Sequence, residues 1–373
     1  MRDKLFIGLL LVMSSTVWAQ VDINHQENEV FVKPQLRKNI RIPNIPGYQT
    51  LKGDFHIHTM FSDGQVWPGI RVEEAWREGL DVIAITDHIE YLPHKKHLSA
   101  DHNTAYKLAL KQAVEKNIIL IKGTEITKNK VPPGHFNALF IEDANPIENE
   151  DVSLSIEEAV RQGAFIIWNH PGWKRQQPDS TKWWDFYTEL ISKNRLHGIE
   201  VANANEWYPI ALDWCTEKKL TVFGNSDIHA PINLKYDLSE RYAHRPMTLV
   251  FAKERTKQSV KEALFAGNTI AWFGNTLAGK EELMQALLKN ALILQPAFRQ
   301  VEKKGVEWYY AELSNVSDIP FVLQANDRQD QKMILEPQSS VIVSYRADEK
   351  DLTYRVNNAF VGSTKNMTIV FDL

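Results

Sequence analysis

The sequence predicts an α/β chain in two parts, a barrel or wound sheet followed by a small β-rich domain. Three observations carry that expectation. Over roughly 220 residues from position 53, short apolar runs alternate with helix-like amphipathic stretches. After residue 275 the period of the apolar residues changes to two, with turn-rich spacers. Several of the apolar runs in the first part carry or lead into His, Asp or Glu at their ends, and parallel α/β barrels place their chemistry at that end of the strands.

The chain is 373 residues long, and its first nineteen are read as a cleaved export signal. Arg2 and Lys4 lead into the apolar run Leu5–Met13, and Val17-Trp18-Ala19 places a small residue before an expected cut at Gln20. The run is shorter than the ~20 apolar residues that span a bilayer, and no Cys stands near the cut to take a lipid. The expectation is a periplasmic or secreted protein with no membrane span after cleavage. Residues 20–50 are polar and contain Pro34, Pro43 and Pro46, which reads as an N-terminal arm.

The first domain is expected over 51–275. Its apolar runs are 54–59, 82–87, 118–126, 136–141, 165–169, 198–202, 221–224, 248–252 and 269–273. Between most of them lie helix-like segments at 70–79, 99–115, 155–162, 184–193, 210–217 and 256–266. The second domain, 276–373, opens on a helical segment at 281–292. Strand-like pieces follow at 307–313, 320–324, 340–345, 352–356 and 368–371, which suggests a sandwich.

Composition narrows the chemistry. A formal charge of −4 gives no sign of a general nucleic-acid binder, whose affinity would rest on a clustered basic face. Cys215 is the single cysteine, so no disulfide framework and no thiolate metal cluster can form within the chain. Twelve His are present, and metal binding would rest on imidazole and carboxylate.

Position turns that count into a site. The first run carries His56-Ile57-His58-Thr59 and is followed by Ser62-Asp63-Gly64. Residues two apart on a strand face the same way, so His56 and His58 can converge on one ion. The second run ends Thr86-Asp87-His88, the third contains Gly123-Thr124-Glu125, the fifth ends Asn169-His170-Pro171 and the seventh leads to Asp227-Ile228-His229. His135 begins its run instead of ending it. The seven residues 128–134 before it are too few for a crossover between parallel strands, which takes a dozen or more. A hairpin is therefore expected, with the fourth strand reversed and His135 delivered beside Glu125.

This order of motifs resembles the PHP (polymerase and histidinol phosphatase) family over roughly residues 50–275. The resemblance implies a distorted (β/α)7 barrel holding two or three metal ions, and hydrolysis of phosphoesters. It implies that His56, His58, Glu125 and Asp227 hold one ion, and that Glu125, His135 and His170 hold a second bridged by Glu125. Asp63, His88 and His229 would hold a third. An N- and O-donor set of this kind suits Zn, Mn or Fe(II). Ions so bridged are expected to supply a hydroxide for in-line attack on phosphorus, with Asp227 and Glu125 as catalytic groups.

Beyond the metals, Lys174 and Arg175, and separately Arg241, His244 and Arg245, are candidate clamps for a small phosphoester. The aromatic group Trp168, Trp173, Trp183, Trp184, Tyr187, Trp207 and Tyr208 is expected to be mostly core, with one or two members walling a pocket. An exported member of this type is better matched by a phosphodiesterase or general phosphoesterase than by a histidinol phosphatase or a polymerase domain. The competing readings are a metal-dependent ester or amide hydrolase and a non-catalytic binding protein. Nothing in the sequence sets the oligomeric state.

Overall fold

A computed structural model describes residues 36–98, 100–240, 243–325 and 332–373. The expected signal, most of the arm and Arg241 lie outside the described residues. Residues 37–373 form one compact unit. Among the described residues no helix is long and apolar enough to cross a membrane.

The strands of the first part are β1 (Gln49–Asp54), β2 (Val82–Ile85), β3 (Ile119–Thr127), β4 (His135–Leu139), β5 (Phe165–Trp168), β6 (Gly198–Asn203), β7 (Glu206–Trp207), β8 (Thr221–Asn225), β9 (Met247–Ala252) and β10 (Thr269–Phe273). The helices are α1 (Pro68–Arg77), α2 (Thr104–Glu115), α3 (Val152–Arg161), α4 (Asp185–Ser192), α5 (Pro209–Lys218), α6 (Ile232–Lys235) and α7 (Lys257–Phe265). Local chemistry sets several of these starts. Proline opens α1 and α5, where a missing N–H costs nothing. Asp151 and Thr256 cap α3 and α7, accepting from Ser153 N at 2.8 Å and Ser259 N at 3.1 Å.

Pairing makes β1, β2, β3, β5, β6, β8 and β10 run one way and β4 and β9 the other. The expected hairpin is present: β3 and β4 are antiparallel, with Thr127 opposite His135. Side chains, not a main-chain ladder, join β8 to β9 and β10. Thr248 Oγ1 accepts from Gly224 N at 3.0 Å and donates to Gly224 O at 2.9 Å, and Thr269 Oγ1 donates to Val222 O at 2.7 Å. Gly224 permits this approach, since a Cβ there would sit 3.0 Å from Ala271 Cβ.

The first apolar run needs correction. The ladder strand ends at Asp54, so His56 and His58 stand just past it, not inside it. Past it, an isolated main-chain bridge between Ile57 and Ile228 and a set of side-chain acceptors hold the segment in line. Phe55 N donates to Asn225 Oδ1 at 3.0 Å, Ile57 N to Thr86 Oγ1 at 3.0 Å and Thr59 N to Asp87 Oδ1 at 2.6 Å.

The C-terminal part is a sandwich of two sheets. One contains β12 (Leu292–Leu294), β13 (Arg299–Lys303), β14 (Val306–Asn315) and β17 (Ser339–Arg346). The other contains β15 (Phe321–Ala325), β16 (Lys332–Leu335), β18 (Asp351–Phe360) and β19 (Asn366–Asp372). A further strand, β11 (Thr276–Gly279), pairs antiparallel with β10 and parallel with β18, so the barrel sheet runs on into the sandwich. Helix α8 (Glu281–Ala291) buries Met284, Leu287 and Leu288 in a core that contains Leu249 and Trp272 of the barrel and Leu313, Phe321 and Val356 of the sandwich. That shared apolar contact holds the two parts together.

Candidate metal centre

All nine expected ligands meet at one end of the barrel. Their donor atoms fall into three overlapping groups: His56, His58 and Glu125; Glu125, His135 and His170; and His58, Asp63, His88 and His229. Asp227 closes the first group, with Oδ1 3.1 Å from His56 Nε2 and 3.0 Å from His58 Nε2. The difference from expectation is His58, which stands between the first and third groups.

Each ligand is aimed by its own local structure. Gly64 passes directly under the His58–Thr59 peptide, where a Cβ would lie 2.7 Å from His58 O. Asp87, which follows β2, gathers the same turn by accepting from Thr59 Oγ1 and Ser62 Oγ, each at 2.7 Å. Glu125 lies inside β3 with a fully buried carboxylate. Its Oε1 accepts from Asn169 Nδ2 at 2.9 Å and lies 3.0 Å from His135 Nδ1, and its Oε2 lies 2.6 Å from His88 Nδ1. His170 and Asp227 both hold positive φ, 28° and 49°, a region side-chain-bearing residues seldom occupy. The surrounding bonds enforce this: His170 N donates to Glu200 Oε2 at 2.8 Å.

Sequence reasoning missed three groups that build this arrangement. Glu200, fully buried inside β6, orients His56 through Nδ1 at 2.8 Å and is itself held by Asn203 and Asn225 at 2.8 and 2.9 Å. A carboxylate of this kind fixes the imidazole tautomer and raises its basicity as a ligand. Its signal was an acid in the middle of an otherwise apolar run. Arg71 of α1, also fully buried, gives its donors to the carbonyls of His58 at 2.9 Å, Ile228 at 3.2 Å, His229 at 2.6 Å and Ala230 at 2.9 Å. One guanidinium therefore ties the loop after β1 to the loop after β8. Asp54 accepts from Ser226 Oγ at 2.5 Å and links that loop to β1. Neither Arg71 nor Asp54 stands out in sequence, because their partners lie far along the chain.

The charge and donor set fit divalent cations. Burial pushes the Glu125 and Asp227 carboxyls up, but the neighbouring imidazoles outweigh it and hold both well below the usual carboxylate range. Burial, with His229 and His88 nearby, pushes His58 down to about 3, so its ring is neutral and able to ligate. Asp63 Oδ1, Glu125 Oε2, Asp227 Oδ1 and His170 Nδ1 are buried without a properly aligned hydrogen bond among the described residues. Buried polar atoms are ordinarily satisfied, and a cation shared by these atoms would satisfy them.

Two candidate anion clamps are corrected. Arg245 is fully buried, its guanidinium paired with Glu78 at 2.5 Å and Asp54 at 3.0 Å. His244 is buried against Trp272, its two ring nitrogens engaged by the carbonyls of Arg245 at 2.7 Å and Gly274 at 2.9 Å. Both are structural, because desolvation commits their polar atoms to partners inside the protein. Of the other pair, Lys174 is exposed, and Arg175 lies over the Trp173 ring on the wall of the cleft. That cleft, about 460 Å³, opens over Asp63, His88, Glu125, His135, His170 and Asp227. Trp168 is core, stacked on Tyr187 at 3.7 Å, whereas Trp173 walls the cleft.

Comparison with known proteins agrees with this geometry. The PHP domain family matches residues 54–208, and an Ig-like domain family matches residues 294–372. An uncharacterized protein, MJ1295, of Methanocaldococcus jannaschii is 30% identical over 199 residues, covering 49% of this chain and 84% of its own length. The DNA polymerase/3′-5′ exonuclease PolX of Bacillus subtilis is 29% identical over 119 residues, 31% of this chain but 20% of the polymerase. A crystal structure from Bacteroides vulgatus, described as a two-domain protein containing a predicted PHP-like metal-dependent phosphoesterase, superposes with a TM-score of 0.86 at 41% identity. It covers 91% of this chain and 100% of its own. With its ligand positions assembled at one barrel mouth and this likeness along nearly its whole length, the chain belongs to the PHP family.

Proposed function

We propose that the protein is an exported phosphoesterase that holds two or three divalent transition-metal ions, Zn, Mn or Fe, and cleaves a small phosphoester, diesters in preference to monoesters. The observation that carries this is the set of three ligand groups sharing Glu125 and His58 beneath an open cleft. Bound ions supply Lewis acidity and a lowered water pKa at such a site. The protein's own part is positioning. Glu125, ionised and reached by imidazoles from both sides, joins the groups. Asp227, whose Oδ1 closes the first group, would orient an incoming water through its remaining oxygen, as an ionised acceptor. The N-terminal basic, apolar and small-residue pattern supports export, and an exported scavenger of phosphate meets diesters.

The test is turnover of bis-p-nitrophenyl phosphate, p-nitrophenyl phosphate and an acyl ester by metal-free protein resupplied with Mn or Zn. Metal-dependent release from the phosphoesters is expected, fastest from the diester. Activity confined to the acyl ester overturns the phosphoester reading in favour of a carbon-ester hydrolase. Failure to bind any transition metal overturns the enzyme reading altogether.

A further inference from the structure

The residues that line the cleft without belonging to the ligand set are unevenly distributed. They come from the loops after β5, β6 and β8, whereas the loops after β1 and β2 contribute only Asp63 and His88. The organic part of a substrate therefore rests on one sector of the rim. Two cations stand in that sector on separate loops, Arg175 after β5 and Lys235 at the end of α6. The β6–β7 hairpin lines the same cleft through Asn205 and Glu206.

Each of these groups has a definite chemical preference. Arg175 is steadied by lying over the Trp173 ring, 5.7 Å from its centroid. Tyr208 donates its hydroxyl to Glu206 Oε2. Burial, together with Glu206 itself, pushes the Tyr208 phenol upward, so it stays a donor. Glu206 is thus held in place with acceptor capacity left over, and a fixed acceptor beside an amide suits hydroxyl groups. The phosphoryl group under attack has the metal ligands below it, so Arg175 and Lys235 are available for a different negative charge.

We propose that this sector is a leaving-group subsite for a polyhydroxylated anion: the substrate is a phosphoester whose organic part carries hydroxyls and a second anionic group. Arg175 and Lys235 take the anion, Glu206 and Asn205 the hydroxyls, and Trp173 an apolar face. The proposal rests on the phosphoesterase reading and narrows it.

The experiment compares substrates that differ only in the second anion. Glucose 6-phosphate and glucose 1,6-bisphosphate serve for monoesters, and diglycerol phosphate and its terminally phosphorylated derivative for diesters, each with Mn or Zn supplied. In whichever class turns over, the anion-bearing member is expected to have kcat/KM higher by about tenfold or more, mostly through KM. In the Arg175→Ala/Lys235→Ala double variant that ratio should fall close to one, and Arg175→Lys should keep part of it. Equal kcat/KM in the wild type, or a preference that survives the double variant, overturns the subsite and leaves the phosphoesterase standing. No hydrolysis of either pair or of the nitrophenyl phosphates overturns both.

Discussion

The barrel mouth and the C-terminal sandwich bury polar groups for opposite ends. In the sandwich, buried polar side chains complete the backbone: Asn315 donates to Ile319 O at 2.7 Å and Glu336 O at 3.0 Å, and Asn358 to Pro320 O at 2.7 Å. Among the described residues of the sandwich no buried side-chain polar atom is left without a partner. At the barrel mouth the supporting polar groups are also saturated, yet four ligand atoms remain unpaired at the centre. Trp184 Nε1, Tyr236 OH and Trp272 Nε1 are also buried and unpaired, but only at the mouth do several such atoms belong to metal-ligating residue types gathered at one point. The sandwich was built to be stable, and the mouth to be completed.

The sharpest way to break this contrast is to remove the shared carboxylate. Glu125→Gln or His58→Ala should lower bound metal measured by elemental analysis and reduce turnover at least about a thousandfold, while circular dichroism keeps the wild-type shape. Near wild-type turnover of Glu125→Gln sinks the bridged-cluster arrangement. Next in size is Phe321→Ala, a cavity in the sandwich core. It should cost about 3 kcal/mol in denaturant unfolding but leave metal per folded molecule unchanged. Loss of metal would show that the two regions are not separable in this way.

Arg71→Met tests the clamp between loops. It strands buried carbonyls, so a cost of about 3 kcal/mol is expected, together with weaker metal binding in the group that includes Asp63 and His229. Unaltered metal stoichiometry and affinity on titration would reduce Arg71 to a structural role. Glu200→Gln keeps the shape and removes the charge behind His56, and should weaken metal affinity by roughly ten- to a hundredfold.

The smallest effect is one of pH, and it lies away from the mouth. Burial pushes His197 down to about 4, and its Nδ1 accepts from Ile166 N at 2.9 Å, so the ring is neutral in the folded protein and protonates more readily when unfolded. At this residue the unfolded chain binds more protons between about pH 4 and 6.5, so the contribution of His197 to stability falls as pH drops through that window. Unfolding free energy followed from pH 7 to pH 4 should lose part of its slope in His197→Gln. An unchanged slope would mean that His197 is not held neutral.

Much of the site was legible in advance because its signals are local. Ligands two residues apart announce a site through spacing alone: His56-Ile57-His58 share one group, and Asp227-Ile228-His229 repeats the spacing while serving two adjoining groups. The short linker 128–134 forced a reversed strand and so put His135 beside Glu125, as the pairing of β3 with β4 bears out. The alternation of runs and helices, and the change to period two near residue 275, likewise come from neighbours in the chain.

Burial and long-range partnership were beyond sequence reasoning. Arg245 and Arg175 look alike as loop cations near motif residues. One is sealed against Glu78 and Asp54 and the other faces the cleft. The difference lies in partners 167 and 191 residues away, which no spacing rule reaches. Glu200 and Arg71 became visible only when folding brought His56, His170, His58 and His229 against them. The sequence by itself determined which residue types stand at strand ends, because side-chain direction alternates along a chain. Tertiary structure decided which charges lose their water, because desolvation depends on what every other segment brings to the same point.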